Sequence, residues 1–241
     1  MIPKKIHYCW FGRGKKNKLF YKCLKSWKKY YPDFEIIEWN EDNFDVYSNQ
    51  YMKEAYESKK WAFVSDYARL KILYDEGGIY FDTDVEALKR ISDDILEKGY
   101  FAKEREDKLT SGLGFGVYPK NDIIKYMLDD YKNIHFINED GTFDLTACPE
   151  RNTLSLVNRG YIINEKNKMI GDTYIFGPEY FCGWNLDVHK KNITDKTYTI
   201  HHYEGSWVSK KDKRISKIRR VFVNLMGEKI YKKIRKKIKG K

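Results

Sequence analysis

The chain has 241 residues, of which 41% are hydrophobic and 34% are charged, and its formal net charge is +11. This length suits one large domain with an appendage. The four cysteines show neither CxxC spacing nor a cluster with histidine, so we expect reduced thiols and no zinc site. The sequence has no secretory signal pattern and no apolar run that could span a bilayer, which predicts a cytoplasmic location.

Strands and helices alternate in the prediction for the first third of the chain. The hydrophobic pattern predicts a strand at 5–10, a helix at 17–31, a strand at 34–39, helices at 51–57 and 61–76, and a strand at 79–81. The second half is less regular, with strands at 113–118 and 197–203, a helix at 122–133, and loops at 144–153 and 176–184. The alternation is typical of a parallel α/β sheet, in which ligands bind at the carboxyl ends of the strands.

Asp82 and Asp84 follow the predicted strand at 79–81 and are two positions apart. Side chains at positions i and i+2 of an extended segment point the same way, so both carboxylates project beyond the strand together. Two like charges that close are costly unless a cation neutralises them, and Mg²⁺ or Mn²⁺ bound to a diphosphate is the usual partner. The alternative is an acidic pair that caps a turn or faces solvent.

Asp66 and Arg69 share one face of the predicted helix at 61–76, because they are three positions apart. Either they form a salt pair within the helix, or Asp66 accepts hydrogen bonds from sugar hydroxyls while Arg69 holds the sugar or phosphates of a donor. Trp10 closes the first predicted strand. It is either a core aromatic or a flat surface on which a nucleobase stacks.

His201 and His202 are adjacent in a segment that ends at Trp207, and the whole chain has five histidines. Successive residues of a strand point to opposite faces, so only one of the two can face a given site. Imidazole is a good ligand for Mn²⁺ and would complete a carboxylate site. The alternative is a hydrogen-bonded histidine of the surface or core.

Most of the positive charge lies at the C-terminus. Residues 208–241 contain 15 Lys or Arg against Asp212 and Glu228, so the other 207 residues sum to −2. Apolar residues recur there at helical spacing: Ile215, Ile218, Phe222, Leu225, Ile230, Ile234 and Ile238. A basic helix with an apolar stripe suits an anionic membrane surface. A solvated tail and a nucleic-acid arm are the alternatives, and the nearly neutral body argues against nucleic acid as a partner.

Four segments, in this order, resemble the motifs of DXD-containing sugar transferases: residues 2–12, 62–69, 77–84 and 202–207. The chain is similar to glycosyltransferase family thirty-two, which includes bacterial capsular and lipopolysaccharide transferases. It is also similar to the catalytic domains of the large clostridial glucosylating toxins. The resemblance implies a GT-A fold in residues 1–207, an α/β Rossmann-like mixed sheet flanked by helices, with 208–241 as a basic helical tail. It also implies a Mn²⁺ or Mg²⁺ cofactor and retention of anomeric configuration.

The resemblance implies roles for individual residues as well. Asp84 would ligate the metal directly, Asp82 would touch the ribose and sugar and support the metal, and Trp10 would stack on uracil. His202, Glu204 and Ser206 are all candidates for the third ligand, with His202 first. The implied catalytic residues are Asp66, Arg69, Asp82 and Asp84. The implied donor-binding residues are Trp10, Ser65, Asp66, Arg69, Tyr80, Asp82, Ser206 and Trp207.

We therefore expect metal-dependent transfer of a hexose from a nucleoside diphosphate sugar, with a UDP-sugar favoured, to a glycan hydroxyl. The acceptor would be a growing, lipid-linked surface glycan, and the enzyme would lie peripherally on the inner face of the cell membrane. A GDP-mannose-dependent mannosyltransferase is the alternative within this class. A nucleotide-sugar hydrolase and a basic protein that binds an anionic polymer are the rivals from outside it.

Overall fold

The computed structural model describes residues 1–164, 168–186 and 190–205. Its strands are β1 Lys5–Cys9, β2 Glu35–Trp39, β3 Gly78–Tyr80, β4 Val85–Ala87, β5 Tyr100–Arg105, β6 Lys108–Thr110, β7 Phe115–Val117, β8 Met169–Ile170, β9 Thr173–Phe176, β10 Trp184–Asn185, β11 Lys190–Lys191 and β12 Thr199–His201. Its helices are α1 Lys18–Tyr30, α2 Gln50–Glu57, α3 Trp61–Glu76, α4 Asp93–Lys98, α5 Asp122–Asp130, α6 Cys148–Val157 and α7 Pro178–Phe181.

A mixed sheet of eight strands forms the centre of the molecule. Its order is β2-β1-β3-β7-β5-β9-β8, with β6 paired to β5. β1 runs parallel to β2 and β3, whereas β7 runs antiparallel to β3 and β5. The predicted α/β class, a Rossmann-like mixed sheet flanked by helices, is therefore confirmed. The predicted basic tail at 208–241 lies outside the described residues.

Two apolar cores lie on opposite faces of the sheet. Side chains alternate along β1, so Ile6 and Tyr8 join the core beneath α1, whereas Cys9 joins the core beneath α2 and α3. The core beneath α1 also receives α4 and α7, and the other also receives α5 and α6. Burial of both faces explains why short strands of mostly apolar residues form the centre.

α1 holds β4, the strand that follows the acidic motif. The indole of Trp27 is fully buried and donates a hydrogen bond to the carbonyl oxygen of Val85 at 2.8 Å. The hydroxyl of Ser26 accepts from the backbone N–H of Ala87 at 2.9 Å. β12 then pairs antiparallel with β4 in a separate two-stranded sheet, with His201 opposite Val85. The C-terminal strand is thereby brought to the acidic motif.

The Gly77-Gly78 pair turns α3 directly into β3. Gly77 has φ +64° and Gly78 has φ +95°, a region that residues with a Cβ rarely adopt. A Cβ at Gly78 would lie 2.8 Å from the carbonyl oxygen of Lys5, so only glycine lets β3 approach β1 here. The turn ends α3 where the sequence predicts and directs the chain to Asp82 within one short strand.

Two segments that we predicted as loops contain helices. The segment 144–153 includes the start of α6, and 176–184 includes α7. Pro149 and Pro178 lie in the first turns of these helices, where proline is favourable because its missing N–H has no helical partner there. None of the described helices is long and apolar enough to cross a membrane.

His7 of β1 contacts β2 and the turn between α3 and β3 in its neutral form. It is fully buried, its Nδ1 accepts from the indole N–H of Trp39 at 3.0 Å, and its Nε2 lies 3.0 Å from the carbonyl oxygen of Gly77. An indole N–H only donates, so Nδ1 accepts and Nε2 carries the proton. Burial lowers the pKa of His7 to about 4.

Acid should therefore destabilise the protein through His7. The unfolded chain takes up this proton near pH 6.5 and the folded chain only near pH 4, so the free energy of unfolding falls as the pH drops between these values. The His7 contribution should reach about 3 kcal/mol at pH 4. Urea unfolding of the wild type and His7→Gln from pH 7 to pH 4 measures it. An equal pH slope in both proteins would contradict the assignment.

Candidate active site

Asp82 and Asp84 lie at the carboxyl end of β3, where the chain turns into β4. The backbone N–H of Phe81 still donates to the carbonyl oxygen of His7 at 3.0 Å, but the N–H of Val85 bonds back to the carbonyl oxygen of Asp82 at 2.9 Å. The motif is therefore a tight turn and not the extended segment that we assumed. The two carboxylates still come together, because the turn brings them to the same edge of the sheet.

His201 lies beside these carboxylates. Its Nε2 is 2.9 Å from Oδ1 of Asp84, and the potential ligand atoms of Asp82, Asp84 and His201 all lie within 4.8 Å of one another. Nδ1 of His201 is buried and has no hydrogen-bond partner within the described part of the chain. Burial lowers the pKa of His201, but Asp84 and Asp82 raise it by more, so the net shift is upward. The imidazole stabilises the two acids when no cation is bound.

The structure places His202 elsewhere. Its Nε2 is 2.8 Å from Oε2 of Glu86, away from Asp84, because adjacent residues at the end of β12 face different ways. Glu204 approaches Asp84 through its backbone N–H, which donates to Oδ2 at 2.8 Å. The structure therefore brings His201 to the acids where the sequence analysis ranked His202 first and named Glu204 as an alternative. Ser206 and Trp207 lie outside the described residues.

Arg69 connects Asp66 of α3 to Asp82 of the acidic motif. Its Nη2 is 3.2 Å from Oδ1 of Asp66 and 3.0 Å from Oδ1 of Asp82, and its Nε donates to the carbonyl oxygen of Ser65. The guanidinium lies over the ring of Tyr80, whose hydroxyl donates to Asp82 at 3.1 Å. The salt pair within α3 is therefore formed, and Arg69 also contacts the acidic motif. The binding of a donor sugar by Asp66 and Arg69 remains a prediction.

The buried charges of the site are only partly balanced by each other. Burial raises the pKa of Asp66 to about 6, against the opposing effect of Arg69, and it also raises the pKa of Asp82. Burial acts on Asp84 too, but His201 and the N–H of Glu204 hold its pKa at about 2. Among the described residues, the buried Asp66 and Asp84 and the partly exposed Asp82 face one arginine and one histidine, so an added divalent cation would stabilise the ionised acids.

The donor set suits Mn²⁺ or Mg²⁺. Two carboxylates and one imidazole are ligands that Mn²⁺ accepts, and Mg²⁺ would rely on the carboxylates and on phosphate oxygens. Within the described residues, Nδ1 of His201 has no hydrogen-bond partner, whereas Nε2 is 2.9 Å from Asp84. The position of the imidazole ring is therefore set through Nε2. Asp82, Asp84 and His201 are therefore the residues that would hold the ion.

Trp10 borders a cavity of about 460 Å³ at the carboxyl ends of β1 and β2. Its indole N–H donates to the carbonyl oxygen of Gly14 at 2.8 Å, and Lys16, Tyr21 and Asn40 also line the cavity. β1, β2 and β3 are parallel, so this cavity and the acidic motif lie at the same edge of the sheet. Trp10 is half-buried, which leaves part of the ring available to a ligand.

Residues that the sequence analysis missed lie behind Arg69. The Sγ of Cys148, at the start of α6, is 3.7 Å from Nη1 of Arg69 and 3.1 Å from Oγ of Ser111. Oδ1 of Asn152 accepts from Ser111 and Cys148 at 3.0 Å. No motif marks Ser111 and Asn152, since long-range packing alone brings them to the site.

The family comparison supports a sugar transferase. Residues 17–102 match the family model described as a glycosyltransferase sugar-binding region containing a DXD motif. This range includes Asp66, Arg69, Asp82 and Asp84. The match confirms the prediction of a glycosyltransferase of the DXD type. The narrower assignment to family thirty-two remains a prediction. No curated protein sequence matches the chain.

Three solved structures are similar to this chain at low identity. PaToxG glycosyltransferase is 18% identical over 66% of this chain and 69% of its own, with a TM-score of 0.49. An active-site mutant of LgtC is 12% identical over 88% and 94%, with a TM-score of 0.40. Galactosyltransferase LgtC in complex with donor and acceptor sugar analogues is 13% identical over 89% and 93%, with a TM-score of 0.41.

Proposed function

We propose that the protein transfers a hexose from a nucleoside diphosphate sugar to a glycan hydroxyl, with a UDP-sugar as the favoured donor. The observation that supports this most is the approach of Asp82, Asp84 and His201 to within 4.8 Å, with Arg69 3.0 Å from Asp82. This cluster lies at the carboxyl edge of the parallel strands, where ligands of such sheets bind. Asp82, Asp84 and Arg69 also lie in residues 17–102, which match a glycosyltransferase DXD region.

The donor would extend along this edge of the sheet. Its base would occupy the cavity beside Trp10, and its diphosphate would lie against Asp82, Asp84 and His201. Asp66 would accept hydrogen bonds from the sugar hydroxyls, and Ser65 would donate a hydrogen bond to them. Arg69 would hold Asp82 in place and contribute positive charge close to the departing phosphate.

The transfer itself needs charge stabilisation more than a protein nucleophile. The bond from the anomeric carbon to the diphosphate breaks through an oxocarbenium-like transition state, as in glycoside hydrolysis. A bound Mn²⁺ or Mg²⁺ would act as a Lewis acid for the departing diphosphate. We favour attack from the same face, in which the departing phosphate oxygen takes the proton of the acceptor hydroxyl, because it gives retention without a carboxylate nucleophile.

A donor screen tests the proposal. The full chain would be incubated with UDP-hexoses and GDP-mannose, with Mn²⁺, with Mg²⁺ or with EDTA, and with and without a lipid-linked acceptor. We expect metal-dependent release of UDP that rises when the acceptor is present. Release of GDP alone would favour the mannosyltransferase, and release that no acceptor changes would favour the hydrolase. No release from any donor would contradict the proposal.

His201 and His202 make a direct test of the ligand assignment. His201→Ala should weaken Mn²⁺ binding at least about 10-fold, because it removes an imidazole from the candidate ligand set. His202→Ala should change it by less than about threefold, since Glu86 keeps Lys22 as a partner. Mn²⁺ titration followed by electron paramagnetic resonance measures both. The opposite order would restore the sequence prediction.

We also propose that residues 208–241 hold the enzyme on the anionic inner face of the cell membrane. The net charge of +13 and the helical spacing of the apolar residues support this. A chain truncated after residue 207 should lose binding to vesicles that contain phosphatidylglycerol at low salt. Equal sedimentation of the full and truncated chains with these vesicles would contradict it.

A further inference from the structure

Asn17 connects the start of α1 to a distant part of the sequence. It is the N-cap of α1, where its Oδ1 accepts from the backbone N–H of Phe20 at 2.9 Å. Its Nδ2 donates to both carboxylate oxygens of Glu204, at 2.8 and 3.0 Å. One side chain therefore caps the start of a helix and contacts the segment that follows β12.

Glu204 is in turn bonded to the candidate metal site. Its backbone N–H donates to Oδ2 of Asp84 at 2.8 Å, and the N–H of His202 donates to the carbonyl oxygen of Asp84 at 2.9 Å. Tyr203, between them, has φ +50°, a left-handed conformation that is unfavourable for a residue with a Cβ. Such a bend persists only where surrounding contacts fix it. The Asn17–Glu204 contact is one of these.

We propose that Asn17 is a positioning residue for the site of Asp84 and His201. Its amide holds Glu204, and so it holds the Glu204 N–H on one carboxylate oxygen of Asp84 while His201 lies on the other. This inference rests on the proposed function, in which that carboxylate binds the metal. Asn17 acts through Glu204 and touches neither donor nor acceptor.

The cap alone does not require asparagine. Asp and Ser cap helices as well as Asn does, so the amide donor is what Asn adds at this position. The other helices with side-chain caps also use asparagine, and Asn121 of α5 donates to Thr173 far from the acidic motif. Asn121 is therefore a matched control for substitutions at Asn17.

Asn17→Asp separates the two roles. The new carboxylate still accepts from Phe20 and suits the helix dipole, so α1 should remain capped. It faces the carboxylate of Glu204, however, and the contact becomes repulsive. We expect the dissociation constant for Mn²⁺ to rise about 3- to 10-fold, which corresponds to the loss of one exposed charge-assisted hydrogen bond. The melting temperature should stay close to the wild-type value, and Asn121→Asp should change neither quantity.

A second substitution should restore the contact. With Glu204→Gln alone, the new amide oxygen still accepts from Asn17, and Mn²⁺ binding should stay within about twofold of the wild type. In Asn17→Asp combined with Glu204→Gln, the new amide can donate to the new carboxylate. Binding should therefore return to within about twofold of the wild type. A cap-only role for Asn17 predicts neither the loss nor its rescue.

Hydrogen exchange of residues 199–205 in the metal-free protein gives an independent readout. Exchange there should be faster in Asn17→Asp and normal in the double variant. Wild-type exchange and Mn²⁺ binding in Asn17→Asp would overturn the inference, and so would a defect that Glu204→Gln does not rescue. If the wild type bound no Mn²⁺, the proposed function would fail, and the exchange comparison alone would decide whether Asn17 holds this segment.

Discussion

Asp84→Asn should lower metal-dependent release of nucleoside diphosphate by about 10²- to 10⁴-fold. A metal that neutralises developing charge contributes several kcal/mol, and each 1.4 kcal/mol changes the rate about tenfold. Asp84 is ionised at neutral pH, because His201 and the Glu204 N–H hold its pKa at about 2. An amide keeps the size of the side chain and still accepts from Glu204, but it removes the charge that would bind the ion.

The same substitution outside the site provides the control. Asp75 is exposed near the far end of α3 and forms ion pairs with Lys71 and, at 2.6 Å, with Lys120. Asp75→Asn should leave turnover and Mn²⁺ binding unchanged. Turnover would be measured over a range of Mn²⁺ concentrations for both variants. Full activity of Asp84→Asn at saturating Mn²⁺ would refute the assignment of this carboxylate as a metal ligand.

The first third of the fold follows from local sequence signals. The predicted helix at 61–76 agrees with α3, and the predicted helix at 17–31 differs from α1 by one residue at each end. α1 has a start signal in the Asn17 cap, and α3 has a stop signal in Gly77-Gly78. The second half is predicted less well, because Pro149 and Pro178 lie in the first turns of helices within segments that the sequence analysis assigns to loops.

The residues of the candidate site can likewise be predicted only where local sequence signals place them. Asp66 and Arg69 could be placed beside Asp82 from one helix face and one strand end, both of which are local properties. His201 could not be chosen over His202, because that choice depends on the antiparallel register in which His201 faces Val85. Register across separate strands depends on the packing of the whole sheet, and no local pattern near residue 201 encodes it.

Arg69 is the cation on which the buried acids depend in the metal-free protein. It is 4% exposed and lies within 3.2 Å of both Asp66 and Asp82. Ion pairs of this kind add little net stability compared with apolar residues, but loss of one partner leaves an uncompensated buried charge. The same side chain is therefore needed for folding and for the geometry of the acidic motif.

Arg69→Leu should lower the free energy of unfolding by about 3–5 kcal/mol at pH 7.5 and abolish measurable turnover. Without the guanidinium, the pKa of Asp66, already about 6, rises further, and so does the pKa of Asp82. The folded variant then binds more protons than the unfolded chain above the usual carboxyl pKa. Because the His7 contribution is the same in both proteins, the deficit of the variant relative to the wild type should become smaller as the pH falls from 7.5 to 5.

Two further variants separate charge from geometry at this position. Arg69→Lys keeps the charge but has no fork to reach both carboxylates, so it should retain more stability than Arg69→Leu and still lose most turnover. Adding Asp66→Asn to Arg69→Leu removes one uncompensated acid and should recover part of the stability without restoring turnover. Urea unfolding at pH 5 and pH 7.5 and the donor assay measure these effects. A deficit in Arg69→Leu that is equal at both pH values would show that the buried acids do not depend on Arg69.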